Sequence, residues 1–226
     1  MTIREPSQAI EQGIGFVTED RKELGLVLGM SVRENFSLTH LSDYCRMDVV
    51  NRKRETNACA QYIKSLGIKT PSPEQKVLNL SGGNQQKVVI AKWLATKPRV
   101  IILDEPTKGI DIGSKAAVHD FMSELAAEGL AVIMVSSEIP EILGMSDRVI
   151  VMREGRIAAE LTGPAMTPER LVGLAWRDKM ELRLAGYASR RKAQAGKAIA
   201  GRRQMVKVVV VDLGDFRERH FGKSAG

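Results

Sequence analysis

Two short segments carry the residue types that chemistry on a phosphate needs. In the first, Leu80 to Val88 (LSGGNQQKV), the residues Ser81, Gly82 and Gly83 stand just ahead of a helical run through AKWLA. Such a start leaves backbone N–H groups bare at a helix N-terminus, where the dipole favours an anion. Glycine lets the backbone approach closely, and the Ser81 hydroxyl adds a donor. Ser-Gly-Gly before a helix is also a common loop, so this segment alone leaves both readings open. In the second, Val100 to Asp111 (VIILDEPTKGID), Asp104 and Glu105 stand together at the end of an apolar run. Burial there is costly for two carboxylates unless a cation or a reaction requires them. Asp104 can hold Mg²⁺, usually through water, and Glu105 can orient and polarise the water that attacks a γ-phosphate. The plain alternative is a pair of acids at a strand end, facing solvent.

Periodicity suggests the elements that must position these residues. A short strand is expected near Ile14 to Val17, then a largely helical region from about Ser31 to Thr96. Val100 to Pro106 reads as a buried parallel strand whose carboxyl end faces a ligand. Ser114 to Ala127 carries Ala117, Val118, Phe121, Met122 and Leu125 at helical spacing, and Gly129 sits where that helix would stop. Leu130 to Ser137 reads as a second buried strand, and Asp147 to Leu161 as a hairpin turning at Glu154-Gly155. After about Met180, Ala, Gly, Lys and Arg dominate, which suits a flexible or marginally helical solvated tail. Val206 to Gly214 then has the character of one strand for which the sequence offers no partner.

Together the two segments resemble those of the ABC transporter ATPases, with order, spacing and flanking residues all in agreement. The resemblance implies an α/β fold: part of a P-loop NTPase-like ABC nucleotide-binding domain with an inserted helical subdomain. It makes Ser81, Gly82, Gly83, Asn84 and Gln85 the signature loop, which contacts nucleotide in trans. Glu105 becomes the catalytic carboxylate and Asp104 the Mg²⁺ ligand of the Walker B strand, while Lys108 to Asp111, with Gly109 and Asp111, correspond to the D-loop that signals across the dimer. Gly13 to Asn35, Asn84 where most cassettes have glutamine, and Val135 to Ile157 narrow the likeness further. They are similar to the C-terminal cassette of double-cassette importers of ribose, galactose or xylose type, over about residues 1 to 177. The implied divisions are a core fragment at 1–20, a helical subdomain at 21–97, an α/β catalytic core at 98–180 and a basic tail at 181–226. Also implied are Mg-ATP in a composite site with a partner cassette, sugar-permease subunits, and indirectly a periplasmic sugar-binding protein. The expected location is peripheral, on the cytoplasmic face of the membrane.

Three positions depart from the family pattern. Glu19 stands where most cassettes have the Q-loop glutamine, and Ser137 stands in place of the switch histidine. Serine can still donate one hydrogen bond but cannot carry charge. The third departure is that G-x-x-x-x-G-K-[ST], the Walker A loop, is missing, and in the family it would lie upstream of Met1. Gly222-Lys223-Ser224 ends like that loop, but position 217 is arginine and no helix can follow before Gly226. Charge-assisted hydrogen bonds contribute about 1.5–3 kcal/mol each, so three or four missing ones remove roughly 5–12 kcal/mol. A micromolar site is worth about 8 kcal/mol. The expectation is a truncated cassette that neither binds ATP tightly nor hydrolyses it alone.

Composition bounds the rival classes. The 226 residues carry a net charge of +7. Arg183, Arg190, Arg191, Lys192, Lys197, Arg202, Arg203 and Lys207 account for eight positive charges, leaving the rest near −1. With 4% aromatic residues, the body offers neither the basic face nor the stacking platforms of a nucleic-acid binder. No run approaches the roughly 18 apolar residues of a membrane span, and the start lacks a signal-peptide core. Cys45 and Cys59 fit packing or surface thiols, and His40, His119 and His220 lack metal-ligand spacing. Met30, Met134, Met145 and Met152 read as core filler, and Trp93 as packing against the catalytic core. Arg52-Lys53-Arg54 reads as a solvated helix face, and Arg190-Arg191-Lys192 as solvated tail rather than a lipid contact. The alternatives in function are an inert interaction or regulatory module that pairs with a full cassette, and a soluble ABC-type ATPase of translation or DNA repair.

Overall fold

A computed structural model describes residues 2–153, 155–175 and 207–212. The chain divides into two units, Met1–Val135 and Ser136–Gly226. In the first, α1 (Pro6–Glu11) leads through Gly13 into β1 (Ile14–Val17). Gly13 has φ +75°, and a Cβ there would meet Arg99 at 3.1–3.3 Å. Its carbonyl accepts from the Arg99 and Val100 N–H groups at 2.7 and 3.0 Å, which starts the pairing of β1 with the strand at Val100. Only glycine combines that backbone conformation with so close an approach.

A π-helical turn, Arg21–Gly25, follows β1 and is capped by the Asp20 carboxylate, which accepts from the Lys22 and Glu23 N–H groups. α2 (Val32–Ser37) starts with a capping box between Ser31 and Glu34. The two bonds from Ser31 hold the Glu34 carboxyl below its ordinary pKa. Asn35 is fully buried, and its amide accepts from the Val27 N–H and donates to the Val27 and Ser31 carbonyls. Next come β2 (Cys45–Arg46) and β3 (Val49–Val50), an antiparallel pair turning through Met47 and Asp48, both at positive φ. This hairpin interrupts the region expected to be helical; its Met-Asp turn lacks the Asn-Gly type of signal by which a sequence reveals one.

α3 (Arg52–Ser65) and α4 (Gly82–Leu94) complete the helical part. Phe36 packs there with His40 and Tyr62, ring centroids 5.1 and 5.2 Å away. Burial holds the His40 imidazole below its ordinary pKa. It also pushes the Cys59 thiol up to about 12, which makes that thiol a packing group. Arg33, 4% exposed, donates to Glu55 at 2.6 Å and to Glu74 at 2.6 and 3.2 Å. The bond from Arg33 holds the Glu74 carboxyl below its ordinary pKa. Arg52, Lys53 and Arg54 are exposed on α3, as expected for a solvated face.

β4 (Val100–Asp104) fully buries Ile101 and Leu103 and pairs in parallel with β1 on one side. On its other side it pairs in parallel with β5 (Ala131–Val135), reached through α5 (Ile112–Ala127). Helix α5 buries Val118, Met122 and Leu125, while Ala117 is exposed; Gly129, at φ +97°, lies just past its end. Trp93 on α4 packs near Gly15 of β1, so α4 rests on the sheet, as expected of this tryptophan. Met134 is buried, but Met30 is 38% exposed and is not core filler: it lies in a turn, and its N–H donates to the Val27 carbonyl.

The second unit begins with Ser136, whose buried hydroxyl donates to Glu141 at 2.5 Å and accepts from the Glu138 N–H. Those bonds turn the chain into α6 (Ile139–Met145), so the strand expected to reach Ser137 stops at Val135. β6 (Arg148–Arg153) and β7 (Arg156–Thr162) form the expected hairpin, and α7 (Pro168–Ala175) buries Leu171. β8 (Lys207–Asp212) pairs in parallel with β6, Arg148 opposite Val208 through Met152 opposite Asp212. That supplies the partner the sequence did not reveal. The rest of the expected tail, including Arg190-Arg191-Lys192 and Gly222-Lys223-Ser224, lies outside the described residues, as does Glu154. Among the described residues no helix is long and apolar enough to cross a membrane.

Candidate functional site

Helix α4 starts at the Ser81-Gly82-Gly83 segment. Ser81 is the N-cap, at φ −62° and ψ 156°; no side chain caps the helix and no acid stands in its first turn. The backbone donors of Gly82 and Gly83 therefore meet no capping oxygen. Asn84 is tied into the loop: its Oδ1 accepts from the Lys69 N–H and its Nδ2 donates to Ser81 Oγ, both at 2.8 Å. Gln85 turns inward, 5% exposed, and its amide donates to the Val77 carbonyl at 3.1 Å.

Asp104 closes β4 opposite Val135. Glu105 follows at φ +45°, its N–H donating to the Val135 carbonyl at 2.9 Å and its carbonyl accepting from Lys108 at 3.0 Å. A non-glycine residue in the left-handed region costs about 1–2 kcal/mol. Strain of this kind clusters at functional positions, which keeps Glu105 a candidate. Glu105→Gly is accordingly expected to raise stability by about 1 kcal/mol in urea denaturation, by relieving this conformation; a loss of stability would show that the carboxylate itself holds the turn.

The structure brings Glu19 onto the same loop. Its carboxylate forms an ion pair with Lys108. Two residues on, the Arg21 guanidinium donates to the Lys108 and Gly109 carbonyls at 3.1 and 3.3 Å. A Cβ on Gly82 would stand 2.7 Å from Arg21 Nη2, so this arginine lies against the start of α4. The other end of the π-helical turn is also held, since Lys92, buried on α4, donates to the Gly25 carbonyl at 2.5 Å. Burial lowers the Lys92 pKa. Glu19, Arg21, Gly82, Lys108 and Gly109 thus form one cluster.

Sequence reasoning missed Arg21. It is one charged residue in a polar turn, with no motif around it, and only the tertiary fold sets it beside both loops. Asp111 lies exposed ahead of α5, with its carbonyl accepting from Lys115. Ser137, half-buried, belongs to the second unit, beside the Ser136–Glu141 bond.

Among the described residues no three His, Cys, Asp or Glu side chains are grouped to hold a metal. Mg²⁺ keeps several waters and takes ligands from phosphate oxygens, so a single carboxylate such as Asp104 is compatible with it.

Comparison with known proteins bears on the family and the fold. A family profile described as "ABC transporter" matches residues 2–108. The chain is 65% identical over 171 residues to a ribose import ATP-binding protein of Jannaschia sp. (strain CCS1), covering 76% of this chain and 33% of that protein. It is 52% identical over 173 residues to the protein of the same description from Bacillus subtilis (strain 168), covering 76% and 35%. The chain therefore spans about a third of the length of the curated relatives it matches. Among solved structures, a nucleotide-free ATP-binding cassette from an ABC transporter superposes with TM-score 0.63 at 22% identity, covering 79% of this chain and 74% of that one. A dimeric cassette in a post-hydrolysis state with ADP and Pi superposes with TM-score 0.58 at 24% identity, covering 71% and 68%. These two likenesses establish the fold.

Proposed function

We propose a role that starts from one premise: this chain belongs to the ABC transporter family. It forms part of the C-terminal ATP-binding cassette of a sugar importer and acts, peripherally at the cytoplasmic membrane face, with sugar-permease subunits and, through them, a periplasmic binding protein. The similarity to ribose import ATP-binding proteins supports a pentose or similar sugar as cargo.

The observation that carries the mechanism is the uncapped start of α4 at Ser81, Gly82 and Gly83. Those donors face the γ-phosphate of an ATP whose other phosphate contacts come from a partner cassette. Oriented amides there act without reorganisation as charge moves toward the leaving group. Mg²⁺, when bound, neutralises phosphate charge. Asp104 would hold it, and Glu105 would orient the attacking water at a nucleotide cradled by a G-x-x-x-x-G-K-[ST] loop, a motif the 226 residues do not contain. The Glu19–Lys108 pair and the Arg21 bonds tie the Q-loop position to the loop after Glu105, so a movement of one is transmitted to the other.

Calorimetry of Mg-ATP with the 226-residue chain tests the division of labour. No binding up to millimolar nucleotide is expected from the folded chain alone. Addition of the chain to a cassette that carries the missing loop should raise that cassette's ATP affinity and turnover. Micromolar binding by the chain alone would overturn the composite site. An unchanged partner would leave an inert interaction module as the better description.

A further inference from the structure

The Asn84 side chain decides which way the Ser81 hydroxyl can act. A backbone N–H only donates, so the bond from the Lys69 N–H must end on an oxygen, and this assigns Oδ1 of Asn84 to that side. The opposite flip would set an NH₂ group against an N–H, two donors face to face. Nδ2 is then turned to Ser81 Oγ at 2.8 Å, and an NH₂ group can only donate. The hydroxyl oxygen therefore accepts from Asn84, and its own proton must point elsewhere.

Serine at an N-cap ordinarily does the reverse of what a phosphate needs, because its oxygen turns back to accept from the N–H groups of its own helix. Here no such cap bond forms. Asn84 lies three residues after Ser81, one helical turn on and on the same side of α4, so its short side chain reaches the hydroxyl. Lys69, in the segment after α3, anchors the amide from outside the helix.

We infer that Asn84 is a positioning residue: pinned by Lys69, it holds Ser81 as an acceptor and so presents the Ser81 proton as a donor to a bound phosphate oxygen. The inference rests on the composite-site reading given above. Asn84 then acts on the nucleotide through Ser81, and both of its own amide atoms stay engaged within the loop.

The geometry is tested on the chain alone by NMR. Ser81→Ala should move one proton of the Asn84 side-chain NH₂, and Asn84→Ala should move the Lys69 backbone amide. If neither resonance responds in folded variants, the positioning role is overturned. Its consequence is read in the partner-cassette assay as a double-mutant cycle. Asn84→Ala should lower the stimulated turnover about fivefold when Ser81 is present and less than twofold in a Ser81→Ala background, the non-additivity of residues that act as one. Equal losses in both backgrounds would mean that Asn84 meets the nucleotide by itself, and would overturn the inference even with the NMR shifts in place. A wild-type chain that leaves the partner unchanged defeats the composite-site reading and the phosphate role together; the resonances then judge the Asn84–Ser81 geometry separately.

Discussion

Gly82→Asp is expected to abolish the stimulation that this chain gives a partner cassette. Its side chain would enter the space held by Arg21, since even a Cβ at this position stands 2.7 Å from Arg21 Nη2. The new carboxylate would bring negative charge to the start of α4, where the proposed composite site puts the γ-phosphate, and would pair with Arg21. Losing two charge-assisted bonds costs about 3–6 kcal/mol. That corresponds to a fall of roughly 10²- to 10⁴-fold in stimulated turnover. Gly82→Ala separates charge from bulk. It displaces only the far end of a flexible guanidinium, and should lower turnover far less. Equal losses for the two variants would show that space alone matters at this position. Retained stimulation by Gly82→Asp would remove α4 from the nucleotide site.

The second large effect concerns stability. Arg33→Met leaves Glu55, 1% exposed, with the Ser37 hydroxyl at 2.5 Å in place of a guanidinium. An uncompensated buried charge of this kind costs about 3–5 kcal/mol. The urea midpoint of the helical part should fall accordingly. Arg33→Met combined with Glu55→Leu should recover most of the loss, because the burial penalty disappears with the charge. A double variant no more stable than the single one would assign the loss to packing around the arginine stem instead.

Much of this was legible in the residues themselves. Ile14–Val17, Val100–Asp104 and the helix ending before Gly129 have one dominant periodicity each, and local hydrophobic spacing is enough to set such elements. Ser81 to Gly83 and Asp104-Glu105 stood out as candidates for a different reason: phosphate and Mg²⁺ admit few residue types, and both segments carry them. The hairpin at Cys45–Val50 was not legible, because its turn uses Met47 and Asp48 at positive φ. Nor was the partner of Lys207–Asp212, since strand pairing across more than fifty residues leaves no local trace.

The sequence by itself thus carried the likeness to the family and the residue types of the candidate site. Tertiary structure alone decided the orientation and coupling of its parts. Arg21 bonds to carbonyls 87 and 88 residues away, and Asn84 is pinned by an N–H 15 residues back. The partners in those contacts are mostly backbone atoms, which every residue carries. A sequence cannot mark them, and only the packing of α4 and the π-helical turn brings them within reach.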